Sequence, residues 1–182
     1  MQEIYKLEVA GLSRELPIVP ISETLAIASF VIMGDTEMVS AVSPVLAEKL
    51  PEFDILVTAE AKGIPLICEM ARILGLARYC VARKSVKGYM LDPVIDEVQS
   101  ITTAHRQILC LDGKDAAAIK GKRVVLVDDV ISTGGSLVAL ESLVNSVGGT
   151  IVAKAAILAE GDAIGREDII YLQELPLFPI EG

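Results

Sequence analysis

The stretch VVLVDDVISTGGS, residues 124–136, decides how the rest of the chain is interpreted. Its first four residues are apolar and mostly β-branched, which predicts a buried strand. Two adjacent acids follow, and a short run of hydroxyl residues and glycines then leads into a helical pattern. Because open parallel sheets bind ligands beyond the carboxyl ends of their strands, this order predicts a ligand site directly after the strand.

Apolar runs and helical patterns alternate along the chain on both sides of this stretch. We predict strands at 55–57, 79–82, 124–127, 150–158 and 168–172, and helices at 35–50, 65–74 and 136–147. Strands that alternate with helices form parallel sheets covered on both faces, so the predicted fold class is α/β with a mainly parallel central sheet flanked by helices. The length of 182 residues fits a single domain, residues 1–182.

The segment from Ser85 to Arg106 fits neither pattern. It mixes a glycine, a proline, several acids and weakly alternating apolar residues. We expect either a poorly packed hairpin or a flexible loop that acts as a lid.

Composition excludes several classes of partner. A net charge of −9 and an aromatic content of 4% without Trp oppose nucleic-acid binding, which needs basic clusters and stacking rings. No apolar stretch reaches the roughly 18 residues of a membrane span, so no membrane partner is expected. The N-terminus shows no signal-peptide pattern, which favours a cytoplasmic location. Three cysteines at wide spacings predict buried thiols rather than disulfides or a metal site.

The turn after the acids has the residues of a phosphate cradle. Its glycines let the backbone approach a ligand, and amide N–H groups converge there at the start of a helix. The cradle residues are Ser132, Thr133, Gly134, Gly135 and Ser136. Asp128 and Asp129 would repel a phosphate and instead suit sugar hydroxyls, with or without magnesium. The pattern therefore predicts a ribose 5-phosphate site, and the plainer alternative is a polar strand end followed by a helix entry.

The same stretch resembles the phosphoribosyl pyrophosphate (PRPP) signature of type I phosphoribosyltransferases, in which an apolar strand and two acids precede T-G-G-[ST]. VTAEAKGIPL, residues 57–66, resembles the pyrophosphate loop of the adenine and xanthine branch of that family. VARKS, residues 81–85, is similar to the strand end whose basic pair contacts pyrophosphate in that branch. The resemblance covers about residues 15–160 and implies the type I fold, with a small hood and a flexible lid loop.

The resemblance also implies roles for individual residues. Asp128 and Asp129 would be catalytic and hold the ribose hydroxyls, and the cradle would hold the 5-phosphate. The remaining substrate-binding residues would be Glu60, Ala61, Lys62, Gly63, Arg83, Lys84 and Lys87. Basic residues at this edge also make independent sense, because a leaving pyrophosphate needs positive charge; for Arg83 and Lys84 the alternative is a solvated strand end. Mg²⁺ would arrive on PRPP, with Asp128 and Asp129 as its candidate protein ligands.

The hood would come from about residues 1–34 and the C-terminal tail. Residues 16–25 resemble the hood segment of the family by position, and the alternative for them is an ordinary edge strand. The family resemblance further implies a homodimer.

We therefore predict a purine phosphoribosyltransferase of nucleotide salvage that transfers the phosphoribosyl group of PRPP to a purine, with adenine favoured, and releases pyrophosphate. Two alternatives stay open. One is a xanthine or hypoxanthine phosphoribosyltransferase. The other is a PRPP sensor without catalysis, because the lid segment lacks the Glu-Tyr step that adenine-specific enzymes usually carry.

Overall fold

The computed structural model describes residues 3–98, 107–132 and 135–180. Its strands are β1 (Ile4–Val9), β2 (Leu12–Pro20), β3 (Leu25–Ala28), β4 (Ile55–Ala59), β5 (Cys80–Ala82), β6 (Val94–Val98), β7 (Gln107–Leu111), β8 (Arg123–Ile131), β9 (Thr150–Glu160), β10 (Ile169–Leu175) and β11 (Leu177–Pro179). Its helices are α1 (Thr36–Ala47), α2 (Gly63–Ile73), α3 (Gly113–Ile119) and α4 (Gly135–Ser146), with a 3-10 turn at Gly161–Ala163.

The central sheet has five parallel strands in the order β10-β9-β8-β4-β5. The predicted α/β class is confirmed, and all five predicted strands belong to this sheet. Strand β8 shows why the apolar run predicts burial on both faces. Val124 and Leu126 belong to the core cluster that contains α4, whereas Val125 and Val127 belong to the cluster that contains α1 and α2.

The three predicted helices are also present, with shifted ends. Helix α1 begins after Asp35, whose carboxylate accepts a hydrogen bond from the Met38 N–H at 3.0 Å as an N-cap. It contains Pro44 and ends at Ala47, three residues before the predicted end. Helix α2 begins at Gly63, two residues before the predicted start, so Pro65 lies in its first turn, where the missing N–H costs no helical hydrogen bond.

A second sheet is antiparallel and joins the two ends of the chain. Its order is β1-β2-β3-β11, and β11 pairs with β3. Strand β2 lies between β1 and β3, so the alternative of an edge strand for residues 16–25 is wrong. Arg14 of β2 holds this sheet to the start of α1, because its Nε lies 2.7 Å from Oδ2 of Asp35.

The segment predicted as a hairpin or a lid, residues 85–106, contains β6, which pairs with β7 directly after the segment. Strands β6 and β7 are antiparallel, and Arg83 and Cys110 exchange two backbone hydrogen bonds of 2.8 Å that join β7 to the end of β5. Residues 99–106 of the predicted lid lie outside the described residues.

Two further features differ from the sequence interpretation. Helix α3 was not predicted, because it is short and buries only Ala116 and Ile119. Cys80 and Cys110 are buried as expected, but Cys68 is exposed. No helix of the described residues is long and apolar enough to cross a membrane.

Candidate active site

The carboxyl ends of four parallel strands form one edge of the central sheet. Strand β4 leads into residues 60–63, and β5 leads into residues 83–87. Strand β8 carries the acid pair, and β9 ends at Glu160. Since ligands bind at this edge in open parallel sheets, the topology brings the candidate residues of distant sequence segments to one place.

The acid pair lies within β8 rather than after it. The strand continues to Ile131 because β9 pairs with it as far as Ala159, so the predicted strand end at Val127 is wrong. Oδ1 of Asp128 accepts a hydrogen bond of 2.9 Å from the Asp129 N–H. Burial raises the pKa of Asp128, and the neighbouring Asp129 carboxylate raises it further. The pair therefore places excess negative charge in a poorly hydrated position that favours hydroxyl donors or a cation.

Lys62 supplies the positive charge nearest to the acid pair. Its Nζ lies 3.0 Å from Oδ2 of Asp129, whose side chain is 2% exposed. The sequence interpretation assigns Lys62 to pyrophosphate, and in the structure its ammonium also neutralises an acid assigned to ribose. The pyrophosphate loop and the acid pair are therefore in direct contact.

Close packing explains the glycine at the end of the loop. A Cβ at Gly63 would collide with Oγ1 of Thr58 and lie 3.3 Å from the Val127 carbonyl oxygen. Gly63 is therefore buried between β4 and β8, whereas Ala61 is exposed. Only glycine lets α2 begin this close to the acid-bearing strand.

The Glu60 carboxylate contacts all three basic residues that follow β5. Its Oε2 lies 2.7 Å from Nε of Arg83, and its Oε1 accepts a hydrogen bond from the Lys84 N–H. Nζ of Lys87 lies 3.9 Å from the same Oε1 and donates a 2.6 Å hydrogen bond to Oγ of Ser85. The structure thus brings together four of the seven predicted residues of these two loops.

The predicted phosphate cradle is described in part. Thr133 and Gly134 lie outside the described residues, so their places in the cradle stay predictions. Ser132 follows β8, and Gly135 and Ser136 are exposed in the first turn of α4. Free N–H groups at a helix start favour an anion, so an exposed start of α4 suits a phosphate group.

Glu160 lies at the ligand-binding edge of the sheet, where its position beyond a predicted strand places it, but the sequence interpretation gave it no role in the site. It ends β9, and it is 6% exposed. Burial raises its pKa, while the Ser132 side chain and the positive charge of Lys62 lower it. Its position after a predicted parallel strand was the one signal in the sequence.

Comparison with known proteins adds independent information about the chain. A family profile described as a phosphoribosyl transferase domain matches residues 42–175. The chain belongs to the phosphoribosyltransferase family. The family that the sequence motifs indicate is thereby confirmed.

Two relatives named phosphoribosyltransferases are about a third identical to this chain over the residues that align. An adenine phosphoribosyltransferase of Mycobacterium sp. (strain KMS) is 30% identical over 93% of this chain and 94% of its own length. A hypoxanthine/guanine phosphoribosyltransferase of Methanocaldococcus sp. (strain FS406-22) is 35% identical over 61% of this chain and 53% of its own length.

Solved structures of the family have the same fold. The adenine phosphoribosyltransferase from Thermoanaerobacter pseudethanolicus has a TM-score of 0.70 and 23% identity, and the match covers 87% of this chain and 95% of that chain. A Giardia lamblia structure, described as an APRTase complexed with 9-deazaadenine, has a TM-score of 0.63 and 17% identity, with 94% and 93% covered. At these identities the structures establish the fold alone.

Proposed function

We propose that this protein transfers the 5-phosphoribosyl group of PRPP to a purine base, with adenine favoured, and releases pyrophosphate in nucleotide salvage. The observation that carries the proposal is the contact between the acid pair and the basic loop, where Nζ of Lys62 lies 3.0 Å from Asp129. PRPP needs both kinds of charge side by side, because its ribose hydroxyls adjoin its pyrophosphate. Relatives named adenine phosphoribosyltransferase that match over nearly the whole chain support the same reaction.

The proposed roles follow the geometry of the strand edge. Asp128 and Asp129 accept hydrogen bonds from the ribose hydroxyls, since ionised carboxylates are pure acceptors. The turn of residues 132–136 holds the 5-phosphate at the start of α4. The loop after β4 and the segment after β5 border the pyrophosphate, and Lys62, Arg83, Lys84 and Lys87 supply its positive charge.

The proposed chemistry depends on charge that develops during the displacement. A ring nitrogen of the base forms a bond to C1 of the ribose and gives its proton to water, and pyrophosphate leaves with the electrons of the broken C1–O bond. Positive charge on the ribose is offset by the two carboxylates, while Lys62, Arg83, Lys84 and Lys87 stabilise the departing anion. Positioning and electrostatics together supply the catalysis, so no side chain has to form a covalent bond.

Magnesium fits this site as an ion that binds together with PRPP rather than one held by protein ligands alone. Asp128 and Asp129 offer the oxygen donors that magnesium prefers. The described residues contain no group of three or more His, Cys, Asp or Glu side chains that could hold a metal. We propose that a magnesium ion takes its other ligands from PRPP, where it neutralises charge on the leaving group.

The deciding experiment is pyrophosphate release from PRPP and magnesium, with adenine, hypoxanthine, guanine, xanthine and orotate supplied in parallel. We expect release with adenine. Release with hypoxanthine or guanine instead would favour the second candidate, which rests on relatives named hypoxanthine/guanine phosphoribosyltransferase. If no base leads to pyrophosphate release but calorimetry shows that PRPP binds, catalysis would be contradicted and the alternative of a PRPP sensor would be favoured.

We further propose a homodimer in the cytoplasm. Exposed apolar side chains on the segment after β5 favour a second copy as cover: Val86 is 46%, Tyr89 62% and Leu91 76% exposed. Free cysteines at 68, 80 and 110 suit a reducing compartment. Light scattering coupled to gel filtration checks the dimer, and a mass of about 19 kDa would contradict it.

A further inference from the structure

Glu60 carries the wrong charge for a residue that contacts pyrophosphate. An ionised carboxylate repels a phosphate group unless a cation stands between them. Its side chain is only 17% exposed, so most of it faces protein rather than solvent or ligand. Its role must therefore be found among its protein contacts.

Those contacts all join the loop after β4 to the segment after β5. The Glu60 N–H donates a 2.9 Å hydrogen bond to the Ala82 carbonyl oxygen. Oε2 of its carboxylate lies 2.7 Å from Nε of Arg83, and Oε1 accepts a hydrogen bond from the Lys84 N–H. The Glu60 side chain thus fixes the direction of the chain where it leaves the central sheet after β5.

The contact with Arg83 has a specific consequence for the guanidinium group. Oε2 of Glu60 forms an ion pair with Nε of Arg83 that lacks hydrogen-bond geometry, and among the described residues none accepts a hydrogen bond from the two terminal nitrogens of Arg83. A guanidinium held at Nε keeps its terminal N–H groups available for a phosphate, which they can bind as a fork. The ion pair therefore orients Arg83 without using the donors that a phosphate needs.

We infer that Glu60 is a positioning residue, which aims Arg83 at pyrophosphate and does not itself contact the ligand. This inference rests on the proposed function, because it names the part of PRPP that Arg83 receives. It replaces the direct substrate contact that the sequence resemblance implies for Glu60.

The test is calorimetry of magnesium pyrophosphate binding to wild-type protein and to Glu60→Gln. The glutamine oxygen still accepts from the Lys84 N–H, so this variant removes chiefly the ion pair with Arg83. We expect pyrophosphate to bind about tenfold more weakly, which corresponds to the loss of one oriented charged contact. The KM for PRPP should rise by a similar factor, while kcat falls less. Glu8→Gln, which breaks the exposed 2.8 Å pair with Lys6, is the matched control and should bind as wild type does.

A double-mutant cycle with Arg83→Gln separates positioning from a direct effect of charge. If Glu60 acts through Arg83, adding Glu60→Gln to Arg83→Gln changes pyrophosphate binding by less than about twofold. A full further tenfold loss would mean that Glu60 acts independently, and it would overturn the inference. Unchanged or tighter binding by Glu60→Gln alone would also overturn it, because removal of a merely repulsive carboxylate has that effect.

Two more measurements keep the outcome decisive. Should Glu60→Gln fail to fold by circular dichroism, Arg83→Lys takes its place, because it keeps the charge but loses the oriented fork; wild-type affinity in that variant would overturn the inference. Wild-type protein that binds pyrophosphate but releases none from PRPP with any base contradicts the proposed function and leaves the binding comparison intact. Wild-type protein that does not bind pyrophosphate overturns the inference itself.

Discussion

The acid pair shows at the scale of single residues how a site can oppose stability. Burial and the neighbouring carboxylate both raise the pKa of Asp128, so its ionised form is held at a cost in free energy. We expect Asp128→Asn to lower turnover by about a hundredfold, because a neutral amide cannot offset positive charge on the ribose. The free energy of unfolding should stay level or rise, because the amide removes the repulsion.

Pyrophosphate-release kinetics and urea unfolding measure the two effects of Asp128→Asn separately. Asp115→Asn is a control for turnover, because it makes the same change to an acid that pairs with Arg78, at 2.6 Å, and not with a residue of the site. Parallel losses of turnover and stability in Asp128→Asn would contradict a catalytic role and indicate a structural one.

Gly63 tests the packing of the pyrophosphate loop at the same scale. We expect Gly63→Ala to lower the free energy of unfolding by about 1–3 kcal/mol, because the added methyl group meets Oγ1 of the buried Thr58. The double variant Thr58→Ala/Gly63→Ala removes that oxygen and should recover part of the loss. Denaturant unfolding of Gly63→Ala, Thr58→Ala and the double variant measures the coupling, and strictly additive losses would show that the two side chains do not compete for space.

At the scale of elements, Asp35 joins helix α1 to the antiparallel sheet. Its carboxylate caps the helix and pairs with Arg14, and the hydrogen bond from Arg14 holds the pKa of Asp35 below its usual 3.8. A lowered pKa means that the ionised form stabilises the folded state above about pH 4, and that this stabilisation is lost as the pH falls through the native pKa.

Two variants separate the contributions of the helix cap and of the ion pair with Arg14 to the stability that Asp35 provides. Asp35→Ala should lower the free energy of unfolding by about 1–2 kcal/mol at pH 7, because it removes both the cap and the pair with Arg14. Asp35→Asn keeps a capping oxygen and should cost less. The deficit of Asp35→Ala should shrink as the pH falls below about 4 in urea titrations, and a deficit independent of pH would contradict a role for the charge.

How far elements could be predicted depends on how much of their stability is local. The five central strands and three helices were predicted because apolar runs and helical periods record burial directly in the sequence. Helix α3 buries two residues, so it left too little pattern to find. The extension of β8 past Val127 depends on pairing with β9, which no local pattern records.

The candidate site could likewise be predicted only in part, because some of its features depend on local sequence and others on contacts between distant strands. The sequence placed the acids, the loop glycine and the basic residues at one sheet edge, because each follows an apolar strand. It did not predict that Lys62 pairs with Asp129 or that Glu60 pairs with Arg83. Those pairings join residues 67 and 23 positions apart, and they depend on which strands are neighbours in the sheet.

At the scale of the whole molecule, the N-terminal and C-terminal strands lie in one sheet and contact each other. The C-terminal strand β11 pairs with β3, and Phe178 packs edge-on against Tyr5 with 5.9 Å between ring centroids. Leu7 and Leu16 of the antiparallel sheet share one core cluster with Leu66 and Val125 of the central fold. A shared core predicts that the two sheets unfold together, as expected for a single domain.

Phe178→Ala tests whether the two sheets unfold together. We expect a loss of about 1–3 kcal/mol, since Phe178 is half-buried and loses an aromatic pair, and the midpoint of thermal unfolding should fall by roughly 2–4 °C per kcal/mol for a chain of this size. Val138→Ala, at a 57% exposed helical position, should change stability by less than about 0.5 kcal/mol. Tyrosine fluorescence and far-ultraviolet dichroism should report one midpoint that shifts together. Two separate transitions, of which only the first shifts in Phe178→Ala, would mean that the antiparallel sheet unfolds by itself, because the substitution would then weaken that sheet without weakening the core that holds the acid pair.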